Sequence, residues 1–181
     1  MISRIELLSR LPQHSVGAEI GVWKGEFSLQ ILKMLKPKQL HLIDPWIFLD
    51  EYPTRWYGGA EAADQFGMDE IFDGVQKLFT DQDEVVLHRG TSAGVLEKFT
   101  NGYFDWVYID GDHSYSYVLT DLWLSLGKVR SGGIICGDDY LWGEDLPVKR
   151  AVQDFVSATD LDDRLEIIGS QYLIQLEEKY E

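Results

Sequence analysis

The sequence has a single cysteine, Cys136, in 181 residues. No disulfide can form within the chain, which is compatible with a reducing compartment. Cys136 sits in the apolar run GGIICGD and reads as a packing residue rather than a nucleophile. Basic residues are also scarce, 16 Lys and Arg against 31 Asp and Glu, for a formal net charge of −15. A surface of that sign repels a phosphate backbone and argues against a nucleic-acid partner. No apolar stretch approaches the ~20 residues of a membrane-spanning helix. The opening MISRIELLSRLPQ lacks the apolar core of a secretory signal. No repeat or low-complexity tract interrupts the chain. These absences lead us to expect a soluble, cytoplasmic protein without a membrane partner.

What the chain does contain suffices for one domain spanning 1–181, since 45% of its residues are apolar. Six Trp, nine Tyr and eight Phe can supply both a core and the walls of a pocket for a flat ligand. Residues 2–11 read as a short amphipathic helix with Ile5, Leu8 and Leu11 on its apolar side. Beyond it, short apolar runs alternate with helical patterns. SVGAEIG, QLHLIDPW, DEVVLHRG, FDWVYIDGDH and SGGIICGDDY read as strands. The intervening helices carry Phe27, Ile31, Met34 and Leu35; then Ile71 to Phe79; then SAGVLEKF; then Val118, Leu122 and Leu126. A helix in VKRAVQDFVSA follows the fifth strand, and LEIIGSQYLIQL closes as two strands around Gly169-Ser170. Continuous apolar strands separated by helices predict an α/β, doubly wound, mostly parallel sheet. The two-residue turn at Gly169-Ser170 predicts a hairpin, hence an antiparallel strand at the end.

In such sheets ligands lie at the carboxyl ends of the strands, near the point where strand order reverses. Asp44, Asp110 and Asp138 all fall at strand carboxyl ends. The first strand leads into EIGVWKGEFS, where Gly21 turns the chain sharply and Gly25 opens the next helix. The spacing is not that of a dinucleotide loop, and Glu19 beside it disfavours a phosphate while suiting an amine. Asp44 at the second strand end can accept the hydroxyls of a ribose, or can cap the turn before Pro45. A nucleoside with a cationic, amino-acid-like portion meets both demands, and S-adenosylmethionine is such a ligand.

Near Asp110, the carboxylates of Asp138 and Asp139 arrive from the next strand, and adjacent strands lie about 4.8 Å apart. Like charges that close call for a cation, and hard oxygen ligands suit Mg²⁺ or Mn²⁺. His113, in YIDGDHSY, is the favoured base because histidine exchanges protons near neutral pH. Asp112 is its rival or its orienting partner. His41 and His88 lie in strands and read as structural, and Lys149 and Arg150 as surface charge.

GAEIGVWKGEFS, HLIDPW, FDWVYIDGDHSY and SGGIICGDDY, in that order, resemble the motifs of class I S-adenosylmethionine-dependent methyltransferases. The similarity is greatest to metal-dependent O-methyltransferases of small molecules, of the macrocin type and more distantly the catechol and caffeoyl-CoA type. The resemblance implies a Rossmann-like seven-stranded sheet with a reversed last strand. It implies Glu19, Gly21 and Gly25 at the methionine end of the cofactor and Asp44 at its ribose. Thr91 and Ser92 would lie near the adenine, with Trp46 either covering the nucleoside or in the core. It further implies Asp110, Asp138 and Asp139 as ligands of a divalent ion that chelates a hydroxylated acceptor, a sugar diol or a phenol. Tyr52, Trp56, Tyr57 and the loop YLWGEDLP would wall the acceptor pocket, and the N-terminal helix is a candidate homodimer contact. Two other readings stay open, a nicotinamide-dependent oxidoreductase and a cofactor-binding protein without catalysis.

Overall fold

The computed structural model describes residues 2–50, 57 and 61–178. Tyr52 and Trp56 lie outside the described residues. After helix α1 (Ile2–Leu8) come β1 (Val16–Ile20), α2 (Glu26–Leu35), β2 (Gln39–Asp44), α3 (Gln65–Leu78), β3 (Val85–Arg89) and α4 (Ser92–Leu96). Then follow β4 (Phe104–Ile109), α5 (Tyr115–Lys128), β5 (Val129–Gly137), α6 (Pro147–Ala158), β6 (Leu165–Ile168) and β7 (Gln171–Gln175). The strands form one seven-stranded sheet in the order β3-β2-β1-β4-β5-β7-β6. Strands β1 to β5 pair in parallel, and β7 runs antiparallel to both β5 and β6. The expected hairpin is present, with Gly169 at φ 63 in its turn.

Each face of the sheet is covered by helices. In β4, Trp106 and Tyr108 pack with Leu7, Leu8, Phe27, Ile31 and Met68 on one side. The alternate residues Val107 and Ile109 pack with Leu122, Ala151 and Phe155 on the other. This is the period-two alternation of a strand buried on both faces. It also sets which way a side chain points at each strand end, and so bears on the site.

Two helices differ from their expected faces. Helix α1 stops at Leu8, and Ile5 is exposed, whereas Leu7 and Leu8 are fully buried. The buried stripe therefore runs through Leu7, Leu8 and on to Leu11, with the half-buried Arg4 their i, i+3, i+4 neighbour on the same helix face. On α5 the buried residues are Val118, Asp121, Leu122 and Ser125, so two polar side chains share the apolar face.

Strand order, not chain direction, reverses between β1 and β4, which places a crevice above their carboxyl ends. The ladder continues one residue past each strand. Gly21 N–H donates to Ile43 O at 2.9 Å, Asp110 N–H to Ile20 O at 2.7 Å, and Asp138 N–H to Ile109 O at 3.1 Å. Gly21, Asp110 and Asp138 are thus held at one level across the edge. Gly21 has φ 88, and a Cβ there would lie 2.1 Å from Asp110 O and 2.7 Å from Gly111 N. Gly21→Ala is expected to lower stability by about 2 kcal/mol, combining a left-handed backbone with a clash against main chain. Urea unfolding checks it; an unchanged midpoint would show that the β1 and β4 ends move apart freely.

Candidate active site

Glu19 projects from β1 toward α2 and is almost fully buried, with Ser28 Oγ donating to its Oε2 at 2.5 Å. Burial pushes its carboxyl up to about 8, with the Ser28 hydrogen bond opposing the shift. A buried acid next to a glycine turn, short of a full set of partners, is suited to receive a cation. Gly25, at φ 78, starts α2 without a side-chain cap.

Asp44 ends β2 and is also buried. Its Oδ2 accepts the N–H groups of Val22 and Trp23 at 2.9 and 3.0 Å, which clasps the glycine loop to the second strand. Its Oδ1 accepts Trp46 N–H at 2.8 Å and the Tyr57 hydroxyl at 2.5 Å. Burial raises this carboxyl, and the hydrogen bonds from Tyr57 and the backbone work against that. Trp46 is wholly buried, donates its Nε1–H to Trp23 O at 2.8 Å and packs on Phe72. Of the two roles open to Trp46, the core role is the one its burial supports. Thr91 caps α4 by accepting Gly94 N–H, and Ser92 Oγ donates to Asp121 Oδ1. Burial pushes Asp121 up to about 6, the Ser92 bond opposing.

The acidic edge divides into two groups. Asp110 and Asp138 follow Tyr108 and Cys136 in strand alternation, on the side of the sheet that α1 and α2 cover. There Arg4 meets both. Its Nη2 donates to Asp110 Oδ2 at 2.8 Å and contacts Asp138 Oδ2, to which its Nε donates at 2.5 Å. Asp138 Oδ1 accepts Asp139 N–H at 2.7 Å, Ser170 Oγ at 3.2 Å and Gln171 Nε2. Burial pushes Asp110 up to about 8, and Arg4 pulls it back.

Asp139, at φ 60, brings its carboxylate beside His113 and within 4.8 Å of an Asp110 carboxylate oxygen. Its Oδ2 lies 3.2 Å from His113 Nε2. The His113 ring packs against Trp142, centroids 5.2 Å apart, and both Leu141 and Trp142 are exposed beside it. Asp112 Oδ1 accepts Ser114 N–H at 2.8 Å at the start of α5. A carboxylate oriented on His113 is therefore that of Asp139.

A glycine turn at the end of β1, an acid at the end of β2 and a polar cluster after β4 lie along one edge of this sheet. A family model described as a methyltransferase domain matches residues 18–140. The chain belongs to this family. Among curated proteins no sequence matches. Solved structures support the same fold. The O-methyltransferase NovP is 20% identical with a TM-score of 0.67, the alignment covering 98% of this methyltransferase and 81% of NovP. A Corynebacterium glutamicum protein is 16% identical with a TM-score of 0.62, covering 99% and 82%. Spermidine synthase from Thermotoga maritima is 12% identical with a TM-score of 0.57, and the alignment covers 96% of this chain but only 56% of the synthase.

The methyl donor of this methyltransferase is S-adenosylmethionine. Among the described residues no helix is long and apolar enough to cross a membrane. The three acids expected to hold a divalent ion differ in their partners. Asp138 has its oxygens engaged by Arg4, Gln171, Ser170 and the Asp139 amide. The ligating atoms that converge are those of Asp110, His113 and Asp139, within 4.8 Å of one another. Arg4, Asp121 and Gln171 were absent from the sequence reading of the site, and Tyr57, expected in the acceptor wall, hydrogen-bonds to Asp44. Only Arg4 carried a signal, as a charge on the buried stripe of α1. His41 and His88 sit apart, Nδ1 to Nε2 at 2.9 Å, and burial pushes His41 down to about 4, as fits structural residues.

Proposed function

We propose that this methyltransferase moves the methyl group of S-adenosylmethionine to a hydroxyl of a small molecule, a sugar diol or a phenol. The observation that carries this is His113, held by Asp139 beside the exposed Trp142 at the carboxyl edge of β4 and β5. With the ring proton on Nε2, 3.2 Å from the Asp139 carboxylate, Nδ1 keeps its lone pair and is the proton acceptor. Trp142 offers a face on which a sugar ring or a planar phenol can stack. Glu19 would receive the cofactor's ammonium, and Asp44 its ribose hydroxyls, one of them taking the place of the Tyr57 hydroxyl at Oδ1.

The chemistry is a displacement at carbon. The acceptor oxygen forms its bond to the methyl carbon as the carbon–sulfur bond breaks, and the hydroxyl proton passes to His113 Nδ1. The sulfonium is already an able leaving group, so the protein's tasks are alignment and proton removal. Metal-ligand and base roles for His113 compete for one imidazole. The base role accounts for its Asp139 partner, and no step here passes through an ion.

Calorimetry with S-adenosylmethionine, then methyl transfer to a panel of sugar diols and catechols, tests the reading. We expect micromolar binding and turnover of at least one acceptor class. Absence of binding, with NAD⁺ bound instead, sinks the methyltransferase chemistry. Binding without transfer to any hydroxylated acceptor leaves a cofactor-binding protein and removes the proposal.

A further inference from the structure

We propose that Arg4 is the resident cation of the acidic edge: its guanidinium bridges Asp110 and Asp138 in the position that an ion held by both these acids would take, and it keeps an ion out of that position. The inference rests on the methyltransferase reading of this edge and concerns a residue that lies outside the matched family region. Three observations support it. First, the guanidinium contacts both carboxylates at once, Nη2 on Asp110 at 2.8 Å and Nε on Asp138 at 2.5 Å. A planar fork meets two carboxylates in a way that an ammonium cannot. Second, the side chain is held in place from below. Its Cζ lies 4.9 Å over the Phe27 ring, and Leu7 and Leu8 on the same helix face are fully buried. Arg4 is therefore held between the two acids and Phe27 on an anchored helix rather than loose in solvent. Third, Asp138 is closed on its other oxygen by Gln171, Ser170 and the Asp139 amide. An entering ion would have to break that set as well as expel the arginine.

Arg4 acts here as a positioning residue. It fixes the Asp110 and Asp138 carboxylates at the ends of β4 and β5, and so fixes the turns that present His113 and Asp139. Its Nη1 has no partner among the described residues, which leaves two N–H groups to face an oxygen of a bound ligand.

The test is Mn²⁺ binding to the full chain at neutral pH, followed through the paramagnetic signal of the free ion. Wild type is expected to leave Mn²⁺ free into the millimolar range. Arg4→Met, which exposes two carboxylates without a counter-charge, is expected to bind Mn²⁺ at least about tenfold more tightly. Arg4→Lys, a single charge that cannot bridge both acids, should fall between them, and it serves where the methionine variant fails to fold. Amide exchange of residues 2–8 in wild type is expected to be the same with and without Mn²⁺. Equal Mn²⁺ affinity in wild type and variants, absence of binding in all of them, or faster exchange of α1 on adding Mn²⁺ to wild type overturns the proposal. S-adenosylmethionine binding on the same samples separates the two claims. Its loss from wild type strikes the methyltransferase reading, whereas the Mn²⁺ comparison reports on Arg4 alone.

Discussion

Glu19→Gln is expected to make the protein more stable and nearly unable to bind S-adenosylmethionine. Burial holds the Glu19 carboxyl up at about 8, well above its ordinary range. A group whose pKa is raised by folding contributes its stability below the unfolded value and loses it as pH rises through the folded value. Wild type therefore gives up stability between about pH 4.5 and pH 8, a window set by those two values. Glutamine has no charge to bury and can still accept the Ser28 hydroxyl. The variant should gain about 2 kcal/mol, or about 5 °C in Tm, at and above pH 8, and almost nothing near pH 4.5. The loss lies in the cofactor. Without a carboxylate to meet the ammonium, affinity should fall about 30- to 100-fold. Thermal melts across that pH range, paired with calorimetry, check both halves. A stabilised variant that still binds S-adenosylmethionine normally would make Glu19 a core residue without a part in recognition. A destabilised variant would mean that the Glu19–Ser28 pair holds the loop as an ion. The combination of gain and loss is the mark of a group kept at a stability cost for its function.

The sheet was legible in the sequence because its signals are local. Continuous apolar runs such as LHLI and WVYI, each ended by an aspartate, mark buried parallel strands and their carboxyl ends without any tertiary information. Gly169-Ser170 announces its own hairpin in the same way. The alignment of Gly21, Asp110 and Asp138 at one level follows once the strands are adjacent, because each is the first residue beyond its ladder. What was not legible depends on docking. Arg4 reaches Asp110 across 106 positions of sequence, and only the packing of α1 brings it there. Strand parity would have helped, since Asp110 shares a face with Tyr108, and Asp138 with Cys136, toward the side that α1 and α2 cover. Tyr57 reaches Asp44 from an irregular stretch with no periodicity to read. The division of the acids was hidden for a further reason. Asp139 takes a left-handed backbone, at φ 60, which turns its side chain from the direction that simple alternation assigns. That residue brings a carboxylate to His113 while its backbone N–H stays on Asp138.

His113→Ala should lower kcat about 10²- to 10³-fold while leaving S-adenosylmethionine affinity and Tm nearly unchanged. The side chain is 29% exposed, and its removal opens no internal cavity, so a fall in stability is not expected. The loss should be confined to the chemical step, because the imidazole faces the acceptor edge and not the glycine loop. The acid limb of the kcat profile should vanish with it, since that limb reports the protonation of the base. Asp139→Asn keeps a polar neighbour of the same shape for His113 but removes the carboxylate charge beside it, so it should lower kcat by a smaller factor, about tenfold. Asp112 supplies the contrast. Its carboxylate accepts Ser114 N–H at the entry to α5, and Asp112→Ala should lower stability by about 1 kcal/mol with a modest effect on kcat. If instead Asp112→Ala abolishes turnover and His113→Ala spares it, the base is Asp112, and His113 serves with Trp142 as a wall of the acceptor pocket. The pH profile decides between them, because only loss of the true base removes the limb. The geometry favours His113: its ring is fixed on one side by Asp139 and on its face by Trp142, with Nδ1 left to take the proton.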